Sequence, residues 1–183
     1  NMVNSLTNAV QFGLRDKVVN NKNFEIIVPL YSRLMAKGAG ANVKGIFGST
    51  NWHWSLQDEG SKAFVKSFGT KYGFPPSQAA HTVYCQTLLY ADACNRAGTF
   101  NPCGVGEALE GFEFDGLGNG KTLYRADDHQ CFKDVLVVKG KENPTSEFDL
   151  LEIVEVTPME QVQYAPDHPM FAGGDLGVCN PGA

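Results

Sequence analysis

The sequence has 183 residues, 43% of them hydrophobic and 19% charged, and a formal net charge of −5. That length supports one ordinary domain whose core needs no cross-links, and the negative balance gives nucleic acid no electrostatic reason to bind. No stretch approaches the roughly 20 apolar residues of a membrane-spanning helix, and no charged region followed by an apolar one opens the chain as a signal peptide would.

The opening NMVNSLTNAVQFGL has a helical pattern: Val3, Leu6 and Val10 share one face, and Gly13 stands where a helix ends. A start inside a helix reads as the later part of a longer protein. Residues 23–30, NFEIIVPL, form an apolar run too short for a helix, which predicts a buried strand closed by Pro29. NVKGIFGST, residues 42–50, predicts a second strand. Between them YSRLMAKGAGA provides about two turns of helix, so the strands are expected to be joined by a crossover and to run parallel.

In SLQDEGSKAFVKSFGTKYG, Ser55 is placed to cap a helix with Asp58 three residues later; Phe64, Phe68 and Tyr72 share a face, and Gly73 is the stop. The next helix runs from Pro76 and Ser77 to Gly98 and is apolar or small around much of its circumference, which predicts burial on several sides. A short helix follows, with Asn101 as N-cap, Pro102 in the first turn and Gly111 at its end. Gly-Asn-Gly in FEFDGLGNGKTLYRADDHQ predicts a β-hairpin, and DVLVVKG and LLEIVEV are strands rich in Val, Ile and Leu. The fold class is therefore α/β: a parallel sheet flanked by helices, with C-terminal antiparallel strands. The expected division is an α/β portion over 1–112, then a hairpin, crossover strands and tail over 113–183. That tail, with its Pro, Gly and single apolar residues, is expected to lie against a surface.

The run RADDHQC concentrates chemistry, with Asp127, Asp128, His129 and Cys131 side by side. Cys131 and His129 lie two apart on a strand and can point the same way, yet nothing near them resembles a Gly-rich elbow or helix N-terminus to lower the thiol pKa. A zinc site needs a second paired motif, and His168 with Cys179 matches no zinc knuckle, so neither a metal nor a cofactor is expected. The architectural reading has Asp127 or Asp128 capping a turn, His129 bonding a loop and Cys131 opening a strand. Cys179 is then the expected disulfide partner of Cys131, and Cys94 with Cys103 a second pair, while either pair could instead be reduced. Cys85 reads as a small buried apolar residue, and two bridges would imply an oxidising compartment.

From Cys85 to Glu142 the chain has a long helix ending in Arg96-Ala97-Gly98, a short one ending in Leu109-Glu110-Gly111, the phrase FDGLGNGKTLYRADDHQ and the strand DVLVVKG. This run resembles the C-terminal portion of the type I periplasmic solute-binding proteins of ABC importers, of the branched-chain amino acid (Leu-Ile-Val-binding) type. The upstream helices fit in order, so the resemblance covers nearly the whole chain. It implies a two-lobed protein, each lobe an α/β sandwich, with three crossovers and a small ligand trapped between the lobes. This chain would hold most of the second lobe, with the first lobe absent. The resemblance also implies a non-enzymatic, periplasmic or otherwise extracytoplasmic binding component. Its partners would be a small-molecule ligand (amino acid, amide or aromatic acid), the missing first lobe of the same protein, and an ABC permease in the membrane. A ligand-sensing regulatory or receptor domain of the same fold is the alternative, and a Cys-His hydrolase using Cys131 or Cys85 is the reading from another class.

Open α/β sheets bind ligands beyond the carboxyl ends of their strands. Here Tyr31 and Ser32 follow the first strand, and Thr50, Asn51, Trp52 and Trp54 the second, which predicts an aromatic wall with polar groups facing a cleft. The resemblance adds Tyr84, at the start of the long helix. Set against this, an aromatic residue at a strand end often packs in the core, and His81 reads as a hydrogen-bonded helix histidine.

Overall fold

The computed structural model describes residues 2–170 and 177–179. Helix α1, Met2–Gln11, ends as expected, with Gly13 in the left-handed region (φ 64°) that disfavours side chains. The strand expected over 23–30 is divided. Strands β1 (Val18–Val19) and β2 (Lys22–Asn23) form a hairpin through Asn20 and Asn21, both at positive φ, and only Ile27–Val28 forms β3. Helix α2, Arg33–Ala39, begins where the Ser32 hydroxyl accepts the Met35 N–H. Strand β4, Phe47–Thr50, pairs with β3 in parallel, as the intervening helix predicts. Gly48 permits that approach: a Cβ there would lie 2.3 Å from the Val28 carbonyl oxygen.

Helix α3, Glu59–Tyr72, is capped by Asp58 and not by Ser55. The Asp58 carboxylate accepts the Ser61 N–H at 2.8 Å, while the Ser55 hydroxyl is engaged with His53 Nδ1 at 2.8 Å. Helices α4 (Gln78–Ala97, capped by Ser77) and α5 (Pro102–Leu109, capped by Asn101) fall where expected. Contrary to expectation, α4 is not buried on several sides. Its inner stripe is His81, Cys85, Leu89, Ala93 and Cys94, whereas Val83, Leu88 and Tyr90 are 63%, 42% and 52% exposed. The helix packs toward α5 and the hairpin beyond it, and through His81 and Tyr84 against Trp52 and Phe64.

Strands β5 (Glu113–Phe114), β6 (Thr122–Tyr124) and β7 (Cys131–Lys133) form an antiparallel sheet of their own. Strands β8 (Val135–Gly140) and β9 (Leu151–Thr157) return to the first sheet, giving the order β3-β4-β8-β9, and helix α6 (Met159–Val162) follows. The expected parallel sheet and C-terminal antiparallel strands thus merge into one mixed sheet, because β8 pairs antiparallel to β4. The main core lies on this sheet, where α1 and α2 press Leu6 and Ala36 against Val28, Tyr31, Leu136, Val138 and Leu151. A smaller cluster of Ala93, Cys94 and Val105 joins α4 to α5.

The cysteine pairing differs from expectation. Cys103 at the start of α5 is bonded to Cys179, 76 residues away, and neither Cys131–Cys179 nor Cys94–Cys103 forms. Cys94 faces the α4–α5 contact and cannot reach outward, while Cys131 lies on the hairpin and is a free thiol. Cys85 is free and buried, as expected. The tail's placement on a surface concerns mainly residues 171–176 and 180–183, which lie outside the described residues.

Candidate functional site

The chain after β4 turns inward instead of running along a rim, and this decides the fate of the expected aromatic wall. The Thr50 hydroxyl donates to the Trp52 carbonyl at 3.1 Å, a tight local bond that starts the turn. Trp52 is only 1% exposed; its indole stacks on His81 with centroids 4.3 Å apart, and its Nε1–H donates to the Ser61 hydroxyl at 2.9 Å. Tyr31 is wholly buried in the sheet core, and burial pushes its hydroxyl well above the usual phenol range. Ser32 serves α2 as its cap, and Trp54 is half-buried. Tyr84 is 37% exposed and stacks on Phe64 at 4.5 Å. Asn51 is the predicted residue that reaches a pocket wall, in a pocket of about 180 Å³ between the end of β4, α4 and the β6–β7 hairpin.

Sequence reasoning did not bring together the other residues of that pocket, among them His81, Cys85, Tyr124, Cys131 and Lys133. The His81 Nε2 lies 2.7 Å from the Leu117 carbonyl oxygen, which can only accept, so that nitrogen carries the proton. Burial drives the His81 pKa down to about 4. Cys131 is an exposed residue overall, yet its thiol hydrogen-bonds Tyr124 and burial pushes its pKa up. Burial also raises Cys85, and it carries Tyr124 to about 12 with help from the Cys131 thiol. Lys133 is lowered by burial, and its ammonium donates to the Gly118 carbonyl at 3.1 Å. A nucleophilic cysteine needs a depressed pKa, and the shifts of both thiols run the other way. Among the described residues no group of His, Cys, Asp and Glu is placed to hold a metal ion.

The run RADDHQC is the turn joining β6 to β7. Arg125 donates to the Asp128 carboxylate at 3.0 Å and to the Tyr164 carbonyl at 2.6 Å, and His129 Nε2 meets the Glu110 carboxylate at 2.8 Å. The pairing with Arg125 holds the Asp128 pKa below the usual range. The architectural reading matches this geometry, although an ion pair and not a Cys131 bridge ties the turn down.

The loop DGLGNG also does more than turn a hairpin. The chain crosses between the two sheets at Asn51–Trp52 and again at Lys133–Asp134, and Asn119 bridges both crossings. Its side-chain N–H donates to the Asn51 carbonyl at 2.6 Å and to the Asp134 carbonyl at 2.8 Å. Asn119 is 5% exposed and at φ 61°. An asparagine between two glycines was the available signal, since Asn tolerates the left-handed region and bonds nearby backbone.

The family described as periplasmic binding protein matches residues 1–145. The chain belongs to that family. Its fold is the type I periplasmic binding protein fold, similar to a periplasmic binding protein from Burkholderia mallei (TM-score 0.73, 22% identity, covering 88% of this chain and 42% of that one). It is also similar to an amino acid ABC transporter substrate-binding protein from Pseudomonas fluorescens (TM-score 0.70, 22% identity, 85% and 41%). A third similar structure is the solute binding protein of an ABC transporter from Rhodopseudomonas palustris in complex with 3,4-dihydroxy benzoic acid (TM-score 0.69, 14% identity, 86% and 42%). The chain spans about two fifths of each, between 41% and 42%. No curated protein matches the sequence. The family is extracytoplasmic, and no described helix is long and apolar enough to cross a membrane.

Proposed function

We propose that this chain is part of the ligand-binding component of an ABC importer, working in the periplasm without catalysis and delivering an amino acid or related small organic solute to a membrane permease. The family match over residues 1–145 carries this reading. The sheet β3-β4-β8-β9 and the α4–α5 group with its hairpin sheet then belong to different lobes, joined at Asn51–Trp52 and Lys133–Asp134. This divides the chain by sheet membership and not at residue 112. Asn51, on a pocket wall, and the half-exposed Tyr84 are the proposed ligand contacts, with Tyr31, Ser32, Thr50 and Trp52 forming the frame behind them. Ligand that touches both lobes favours the closed state by its higher affinity for it, and the closed form is what the permease recognises.

A thermal-shift screen of the full-length protein against amino acids, amides and aromatic carboxylates tests the proposal. A solute at 100 times its dissociation constant adds about 2.7 kcal/mol of stability, and silence across all three classes with a folded, ligand-free protein would refute it.

A further inference from the structure

We propose that Asp115–Gly116 is a site of spontaneous isoaspartate formation, and that the fold makes it react ahead of Asn119–Gly120 in the same loop. The segment DGLGNG, residues 115–120, holds both the Asp-Gly pair and the Asn-Gly pair of the sequence. In each pair the nitrogen of the glycine, which no side chain shields, can attack the side-chain carbonyl carbon of the residue before it and close a five-membered succinimide. At Asp115 the protonated carboxyl gives up its hydroxyl, which leaves as water with the proton of the attacking N–H. At Asn119 the amide leaves with that proton as ammonia. Water then opens the ring, and opening at the main-chain carbonyl carbon leaves the backbone running through the side chain, which is isoaspartate. The product at Asp115 has the atoms it began with, and water is the one co-reactant.

In an unstructured chain Asn-Gly converts faster than Asp-Gly, because an ionised carboxylate resists attack. The fold sets the two side chains oppositely. The Gly116 N–H donates to Asp115 Oδ1 at 2.7 Å, so the carboxyl is folded back over the peptide that follows it. Its carbon, one bond from that oxygen, therefore sits beside the nitrogen that attacks. The Asn119 amide is instead committed to the Asn51 carbonyl at 2.6 Å and the Asp134 carbonyl at 2.8 Å, in a residue 5% exposed. Ring closure there must first break two hydrogen bonds, a slowing of about a hundredfold at roughly tenfold for each. One arrangement is made by adjacent residues and the other lies between this chain's own strands, so neither depends on which solute the complete protein carries.

Conversion has a structural consequence. Isoaspartate adds a main-chain carbon just before Gly116, whose carbonyl lies, with the Gly118 nitrogen, against Gly60 of α3 where even a Cβ has no room. A Cβ on Gly118 would meet the Ser61 hydroxyl at 2.5 Å, and Ser61 holds the Trp52 indole. The added length lifts the loop from the start of α3 and strains the Asn119 bonds.

The test is ageing of the full-length protein near pH 7, followed by digestion and electron-transfer fragmentation, which cuts isoaspartate at its Cα–Cβ bond and so separates it from Asp of equal mass. The peptide FDGLGNGK and the protein unfolded in guanidinium chloride are aged beside it. In the folded protein Asp115 is expected to convert first, at a rate no lower than in the peptide, while Asn119 converts about a hundredfold more slowly than in the peptide. In the peptide and in guanidinium chloride Asn119 is expected to convert first. Asp115→Glu, in which closure needs a six-membered ring, should show no conversion at that position and should keep its melting midpoint on ageing while that of the parent falls. Conversion of Asn119 before Asp115 in the folded protein, slower conversion of Asp115 than in the peptide, or the same order folded and unfolded would each overturn the proposal. An aged, isomerised protein with an unaltered midpoint would overturn the consequence drawn for α3.

Discussion

Trp52 has the properties of a ligand-facing residue in sequence and of a core residue in space. Its indole is enclosed by His81 and Phe64 and hydrogen-bonded to Ser61, so its removal empties a packed site. Trp52→Ala is expected to cost about 3–5 kcal/mol, read from the denaturation midpoint. Ser61→Ala, which leaves the indole N–H unpaired, should cost about 1–3 kcal/mol. His53 and His81 supply a pH dependence. Burial lowers both from 6.5 to about 4, with the Lys141 charge adding to the effect on His53. Between those values the unfolded chain binds protons that the folded chain refuses. Their contribution is therefore complete above pH 6.5 and is lost as the pH falls toward 4, by up to about 3 kcal/mol per imidazole. Urea unfolding at pH 7, 6, 5 and 4 measures it, and the slope should flatten in a His53→Phe, His81→Phe double variant.

At the level of elements, caps and stops were the most legible features. Ser77, Asn101, Gly13, Gly73 and Gly98 all stand at helix ends as expected, because a cap depends on residues within one turn of itself, whereas Ser32, the cap of α2, reads in the sequence as a ligand contact. The exception, Ser55, shows the limit: its hydroxyl is engaged with His53, and Asp58, expected inside the first turn, is the cap. Glycines separate by environment. A Cβ on Gly60 of α3 would lie 2.2 Å from the Gly116 carbonyl oxygen, whereas one on Gly106 of α5 would meet nothing within 4 Å. Gly60→Ala should cost about 1–3 kcal/mol by overpacking, and Gly106→Ala should add about 0.5–1 kcal/mol by favouring the helix; thermal melts separate the signs. The Cys103–Cys179 bridge closes a loop with a sequence separation of 76, so a Cys103→Ser, Cys179→Ser double variant should lose roughly 4 kcal/mol by loop entropy, measured in denaturant.

For the whole molecule, the decisive contact is Asn119, one side chain bonded to both strands that pass between the sheets. Asn119→Ala leaves two partly buried carbonyls without that donor and should cost about 1–3 kcal/mol. It should also loosen the two halves relative to each other, seen as faster hydrogen exchange at the amides flanking residues 51 and 134 and as a broader distance distribution between spin labels on α2 and α5. Unaltered exchange and distances would mean that packing at Gly60 and Gly116 holds the crossing without it.

The sequence by itself determined the helices and their ends, the parallel pairing of β3 and β4, the hairpin at the glycines and the likeness to a family of binding proteins. Each of these depends on periodicity, on a cap within a turn or on a connection of known length. Tertiary structure alone decided which cysteines pair, that β8 joins β4 in a mixed sheet, that Tyr31 and Trp52 face inward, and that Lys133 shares a pocket with two thiols and Asn51. Those outcomes depend on distances between residues remote in sequence, and neither burial nor a disulfide's reach is encoded in spacing.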